Sequence, residues 1–175
     1  MTCFEVDAAL KSMKILVDTR EQDTPALRRR IKAMECGVER VKLDVGDYSC
    51  KCTLPDGTEY DLSNVVVVER KYDLTELCTC FCQQRKRFIR EFERAKENGT
   101  KVYLMVENAQ WKKVYTGAYR SKMSAPALRA SLWAWLSRYN CQIIFCESQF
   151  SGEIIKDIMY RELKEHLEKI MEGTA

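Results

Sequence analysis

The sequence predicts an α/β domain in which helices flank a mixed central sheet. Three observations predict it. Short apolar runs rich in β-branched residues recur at 14–18, 65–71, 101–107 and 141–146. Segments with apolar residues at three- and four-residue spacing alternate with them, at about 25–35, 83–98, 125–139 and 151–172. Between 38 and 64 lie alternating strands and turn signals without helical spacing, which predicts an antiparallel section early in the sheet.

The elements follow in order. Residues 1–13 read as a frayed lead-in, and Lys14-Ile15-Leu16-Val17-Asp18 as a short strand ending in a carboxylate. Thr24 before Pro25 supplies an N-cap and a first-turn proline for a helix over about 25–35, with Gly37 as its stop. Val38 to Val45 alternates apolar and polar, the pattern of a half-buried strand. Gly46-Asp47-Tyr48 makes a turn, 48–53 another strand, and Pro55-Asp56-Gly57 a hairpin. Four valines, Val65 to Val68, then run into Glu69-Arg70-Lys71. An unbroken apolar run suits a strand covered on both faces, and period-two alternation sends Glu69 and Lys71 to the same side. A helix start at Asp73, a helix ending at Asn98-Gly99, a strand ending at Glu107, a helix opened by Ser124-Ala125-Pro126, the 141–146 strand and a long amphipathic helix complete the order β-α-β-β-β-α-β-α-β-α.

With 175 residues, 46% hydrophobic and 31% charged, the chain reads as a single domain over 1–175 with a substantial core. No apolar run approaches the ~20 residues of a membrane span. The N-terminus lacks a basic-then-apolar leader. The expectation is an intracellular protein, cytoplasmic or, in a eukaryote, nuclear, with no membrane partner. Nine cysteines, an odd number, argue for reduced thiols. The C-x-C pairs at 50–52 and 78–82 do not match paired zinc knuckles, and His166 is the sole histidine.

Net charge is +3, with basic runs at Arg28-Arg29-Arg30, Arg85-Lys86-Arg87 and Lys112-Lys113. Such patches can follow a phosphate backbone, or simply be solvated helix faces. No G-x₄-G-K-[ST] loop is present, which excludes P-loop chemistry. With one histidine on an amphipathic helix, a Ser or Cys nucleophile lacks a base.

Acids gather at strand ends: Asp18 with Glu21, Asp47 after Gly46, and Glu69, with Lys71 two residues on. Functional groups of α/β sheets collect where strands end. Clustered carboxylates repel one another unless a cation joins them, and hard oxygen ligands suit Mg²⁺ or Mn²⁺. A lysine beside them can serve a water or a phosphate, which together suits metal-assisted phosphodiester hydrolysis.

The order Val17-Asp18-Thr19-Arg20-Glu21, Val45-Gly46-Asp47-Tyr48, then Val68-Glu69-Arg70-Lys71 resembles the nuclease domain of the XPF/Hef family of structure-specific DNA endonucleases. The family signature is Gly-Asp, a gap, then Glu-Arg-Lys-x-x-x-Asp. The likeness spans about 14–165 and includes Arg87-Phe88 and the strand ending at Glu107. It implies a restriction-endonuclease-like nuclease core, Mg²⁺ or Mn²⁺ as cofactor, DNA as partner (branched, flap or junction forms included), and a place in DNA repair or recombination. By the same resemblance, Asp18, Asp47 and Glu69 are metal ligands, and Glu21 ligates directly or through water. Lys71 serves the water or scissile phosphate. Arg70, facing away from its neighbours, orients the acids or contacts DNA. Arg20 pairs with an acid or reaches substrate, and Arg87 touches the backbone.

The chain departs from the pattern in three places. Asp73 follows Lys71 after one residue where three are usual, so Glu76 competes for its role. Glu91 stands where the family has Gln. No tandem helix-hairpin-helix domain follows. Two other classes fit the residues: a non-catalytic DNA-binding or dimerisation module of the same fold, and a nuclease acting on RNA or DNA ends. Trp133, Trp135 and Tyr139, with apolar positions on the last helix, supply either a homodimer interface or core.

Overall fold

A computed structural model describes residues 1–173. The lead-in is a helix, not a frayed end: α1 (Cys3–Lys11) opens on a capping box in which Thr2 and Glu5 satisfy each other's backbone N–H groups. That S/T-x-x-E signature was legible. It lay outside the repeating apolar pattern, and Val6, Ala9 and Leu10 are the buried face that holds the helix down.

β1 (Lys14–Asp18) leads to α2 (Pro25–Met34), which Thr24 caps through Leu27 N as expected. The helix ends on Glu35, which adopts the left-handed conformation at φ 48°. Gly37 is therefore not the stop but the first residue of β2 (Gly37–Val41), which ends well short of Val45. β3 (Tyr48–Thr53), β4 (Glu59–Asp61) and β5 (Val66–Lys71) form the antiparallel section. α3 (Leu74–Phe81), α4 (Arg85–Glu97) and β6 (Lys101–Glu107) follow, then a helix the sequence pattern did not suggest, α5 (Trp111–Thr116). At six residues it shows too little periodicity to read. α6 (Ala125–Arg138), β7 (Cys141–Cys146) and α7 (Ser151–Glu172) close the order.

The sheet runs β2-β1-β3-β5-β6-β7, with β4 hydrogen-bonded to the outer part of β3. β1 lies parallel to β2 and β5-β6-β7 are mutually parallel, while β3 is antiparallel to both β1 and β5. The sheet is thus mixed, with helices on both faces. Alternate strand residues divide the core in two. Val67, Leu104 and Val106 meet α3, α4 and α6 on one face, around Phe81, Phe88, Phe92 and Trp135. Val66, Val68, Ile15, Val17 and Met105 meet α1, α2 and α7 on the other. Valine suits both faces of β5, so its charged end fixes the register: a one-residue slip would swap the faces of Glu69, Arg70 and Lys71 and part Arg70 from Glu107.

Two glycines matter here. Gly152 opens α7 against α2, where a Cβ would lie 2.3 Å from the Arg30 carbonyl oxygen. Gly46 is the second and belongs to the site. No helix among the described residues is long and apolar enough to cross a membrane.

Candidate active site

Gly46 has φ +74°, and a Cβ there would stand 2.7 Å from Val67 Cβ. The bare glycine lets the chain turn tightly over β5. Asp47 N then donates to Val68 O at 2.8 Å, and Asp18 N to Asp47 O at 2.9 Å, which seats Asp47 between the ends of β1 and β5. Its carboxylate Oδ2 accepts from Arg70 N at 2.8 Å. Sequence separation of over twenty residues disappears, and Asp47 lies beside Glu69.

Glu69 and Lys71 share one face of β5, as alternation requires. Both are buried, Glu69 Oε1 accepts from Lys71 Nζ, and the ammonium lies 5.3 Å from the Phe88 ring centroid. Glu69 Oε2 is buried with no hydrogen-bond partner. A lone buried carboxylate oxygen is costly, and it points to a ligand. Arg20, Glu21, Asp47, Glu69, Lys71 and Glu91 are among the residues lining a cleft of about 310 Å³ here, with Arg87 at its rim.

The electrostatics of this cleft are strained. Burial pushes the Asp47 carboxyl well above its usual range, and the charges of Glu69 and Glu21 push it further, against Lys71 and the Arg70 amide. Burial and then Glu69 also raise Glu91. Burial opposes the charge on Lys71, but Glu69 and Asp47 outweigh it and hold the side chain firmly as an ammonium. Of the cations lining the cleft, only Lys71 is ion-paired to one of the acids Asp47, Glu69 and Glu91, while Arg20 is tied to Asp18 and Arg87 acts on Glu91 from farther off. In this arrangement a divalent ion would relieve the repulsion between the acids.

The other expected residues fall elsewhere. Asp18 is fully buried and both its oxygens are occupied. Oδ1 accepts from Arg20 N at 2.6 Å and Nε at 2.7 Å; Oδ2 accepts from Arg20 Nη2 at 2.9 Å and Leu43 N at 2.8 Å. Burial works against its charge, yet these bonds from Arg20 and Leu43 bring its carboxyl below the usual range. Arg20 thus pairs with an acid while half of its side chain stays exposed at the cleft. Arg70 turns to the opposite face of the sheet, as its position in β5 demands. There it meets Glu107 at 3.3 Å and Glu21 at 3.6 Å. Glu21 Oε2 also accepts from Tyr48 Oη at 2.9 Å, so it borders the cleft but is held from behind.

Asp73 is the N-cap of α3, accepting from Glu76 N at 2.8 Å, and Glu76 reaches back to Tyr72 N at 2.8 Å. Glu76, not Asp73, lines the cleft. Sequence reading missed Arg30. This buried guanidinium from α2 donates to Glu107 Oε1 at 2.9 Å, Tyr48 Oη at 3.0 Å and Ser151 Oγ at 3.1 Å. Its signal was a basic run on a helix, which normally means solvent. Only the stripe of Leu27, Arg30 and Met34, at three- and four-residue spacing, could have revealed it.

All nine cysteines are free thiols, and among the described residues no group of three His, Cys, Asp or Glu side chains is already arranged to hold a metal. The cleft does fit a divalent cation in its donor chemistry: two neighbouring carboxylates, one with an orphaned buried oxygen. Comparison with protein-family models matches residues 17–158 to the ERCC4 domain.

The chain belongs to the ERCC4 domain family. A comparison with curated proteins returned no match. Among solved structures, this ERCC4 domain is similar to XPF from Aeropyrum pernix, with a TM-score of 0.58 at 19% identity. The alignment covers 85% of this chain and 61% of that one, and it shows a shared fold. The family model makes this a nuclease-type domain, built here on a mixed seven-stranded sheet.

Proposed function

We propose that this ERCC4 domain is a divalent-metal-dependent DNA endonuclease, using Mg²⁺ or Mn²⁺. The observation that carries this reading is Glu69 Oε2, buried and unpartnered beside Asp47. Asp47 and Glu69 are the residues that would hold the ion. Such an ion, when bound, activates water and stabilises the departing oxyanion of a phosphodiester.

The protein's own groups account for the rest. Lys71, kept as an ammonium, offsets charge on the scissile phosphate rather than removing a proton from water. Arg87 and the exposed half of Arg20 lie at the cleft rim, where they meet a phosphate backbone. Asp18 aims Arg20 instead of joining the ligand set, since its oxygens are taken. Arg70 sets Asp47 through its backbone N–H, and its side chain locks β5 to the far face. The test is a cleavage panel of flap, fork, four-way junction, duplex and single-stranded DNA, with RNA alongside. Metal-dependent internal cutting of DNA is expected. No cutting of any substrate, with DNA binding retained, would favour a non-catalytic module.

A homodimer is the partner arrangement the surface favours. Trp135 and Tyr139 are core, but Trp133 is 49% exposed and stacks on Trp111, which is 39% exposed, at 5.4 Å. Phe145 of the edge strand β7 packs 4.9 Å from Trp111. Exposed aromatics at a sheet edge mark an interface. The apolar positions of α7 are spent on α1, α2 and the sheet. Sedimentation should give a dimer that Trp133→Glu dissociates; a monomeric parent protein would rule this interface out.

A further inference from the structure

The α4 face over the cleft carries Arg87, Phe88 and Glu91, with the N-cap Gln84 one turn before Arg87 and Phe88, and Glu91 one turn after them. Phe88 fixes how that helix is rotated. Its ring stacks on Trp135 at 4.9 Å and meets Phe92 edge-on at 4.9 Å, so it is committed to the core. Glu91, one turn further on, is thereby held toward Glu69 across the cleft. It is partly buried. The cations that face it are Lys71, Arg20 and Arg87, and no described residue forms an ion pair with it within 4 Å. An acid turned inward without a partner needs a reason. The independent sign that something binds between these acids is the orphaned Oε2 of Glu69, whose side chain is 5% exposed.

We propose that Glu91 is a third acid of the metal site, acting on the cation through its water shell. This rests on the metal-site reading above and assigns a residue to it that the Asp47–Glu69 pair does not include. No three carboxylates converge as a ready-made inner shell among the described residues, so direct coordination by Glu91 is not the arrangement its position favours. Mg²⁺ dehydrates reluctantly and keeps several waters, each a hydrogen-bond donor aimed outward. A carboxylate across the cleft can accept from such a water and add a full negative charge. A glutamine there would offer a carbonyl oxygen without the charge. Glu91 is thus a positioning residue: it strengthens metal retention and orients a metal-bound water, and does not grip DNA.

Calorimetric titration of metal-free protein with Mn²⁺, without substrate, tests this. The parent protein, Glu91→Gln, Glu91→Ala and Asp47→Asn are compared, each with its metal-free melting temperature. Loss of an outer-shell partner lowers metal affinity by about 10–100-fold. Glu91→Gln and Glu91→Ala should therefore weaken Mn²⁺ binding at least about tenfold, with the metal-free melting temperature unchanged or raised. Asp47→Asn should weaken it further. If Asp47→Asn loses binding while both Glu91 variants match the parent, the role of Glu91 is wrong and the site stands. A lowered melting temperature with unchanged Mn²⁺ affinity would likewise overturn it in favour of a structural acid. If the parent protein binds no Mn²⁺, the metal site itself fails.

Discussion

The end of β5 sends charged side chains to both faces of the sheet, and the two faces treat them in opposite ways. On the α2/α7 side, Arg70 joins Arg30, Glu21, Glu107, Tyr48 and Ser151 in a buried network with two guanidiniums for two carboxylates. On the α3/α4 side, Asp47, Glu69 and Glu91 have a single ion pair among them, Lys71 with Glu69, with Arg20 and Arg87 farther off, and a buried oxygen of Glu69 is left over. Each cluster leaves one buried polar atom without a partner, Arg70 Nε in the first and Glu69 Oε2 in the second, so what separates them is the balance of charge. The balanced network holds strands and helices together. The unbalanced one holds repulsion that a proton or a bound cation relieves, and the proposed metal site rests on this imbalance.

Substitutions can break this contrast. The largest effect should be on cleavage: Asp47→Asn or Lys71→Ala is expected to lower the DNA cleavage rate by at least about 10²–10³-fold, with the circular dichroism spectrum preserved. Unaltered cutting by both variants would dissolve the assignment of this face. On the balanced face the effect should appear in stability instead. Glu107→Ala leaves Arg30 and Arg70 buried without their shared acceptor, which costs about 3–5 kcal/mol and should show as a lower urea midpoint. A midpoint equal to the parent's would mean that the network is not holding the fold.

A smaller and opposite change is expected from the cleft. A raised Asp47 pKa means that the folded state holds a proton which the unfolded chain gives up more readily. The contribution of this group to stability is therefore present below the usual carboxylate range and declines as pH rises above it. Metal-free Asp47→Asn should accordingly melt above the parent at neutral pH, by about 2–4 °C if the relief is ~1 kcal/mol. The difference should vanish toward pH 4, near the ordinary aspartate value of 3.8. Loss of stability at neutral pH would show that Asp47 is a structural acid. The smallest effect belongs to Asp73→Ala, which removes a helix cap worth ~1 kcal/mol and should leave the cleavage rate unaltered once melting is accounted for.

The site was legible in proportion to how local its signals were. Period-two alternation after the valines placed Glu69 and Lys71 together and Arg70 apart, because strand geometry leaves no alternative. Gly46-Asp47 was legible as a turn, and the close approach to Val67 explains why glycine is needed there. The role of Asp18 was not. Its spacing to Arg20 within one loop permits either a metal ligand or an ion pair, and only the structure shows both its oxygens taken up by Arg20 and by Leu43 N, from 25 residues away. Arg30 escaped because its partners come from β3, β6 and α7. Asp73 reads as a helix cap once Glu76 is seen to reach back to Tyr72.

The acids gathered on one face of β5 are proposed to form a cation site. A crystal of the protein grown with Mn²⁺ and measured at an anomalous wavelength addresses it most directly. An anomalous peak is expected in the cleft, on Glu69 Oε2 and an Asp47 oxygen, with waters completing the shell toward Glu91. A cleft without a peak at saturating Mn²⁺, or a peak seated on Asp18 with Arg20 displaced, would contradict it.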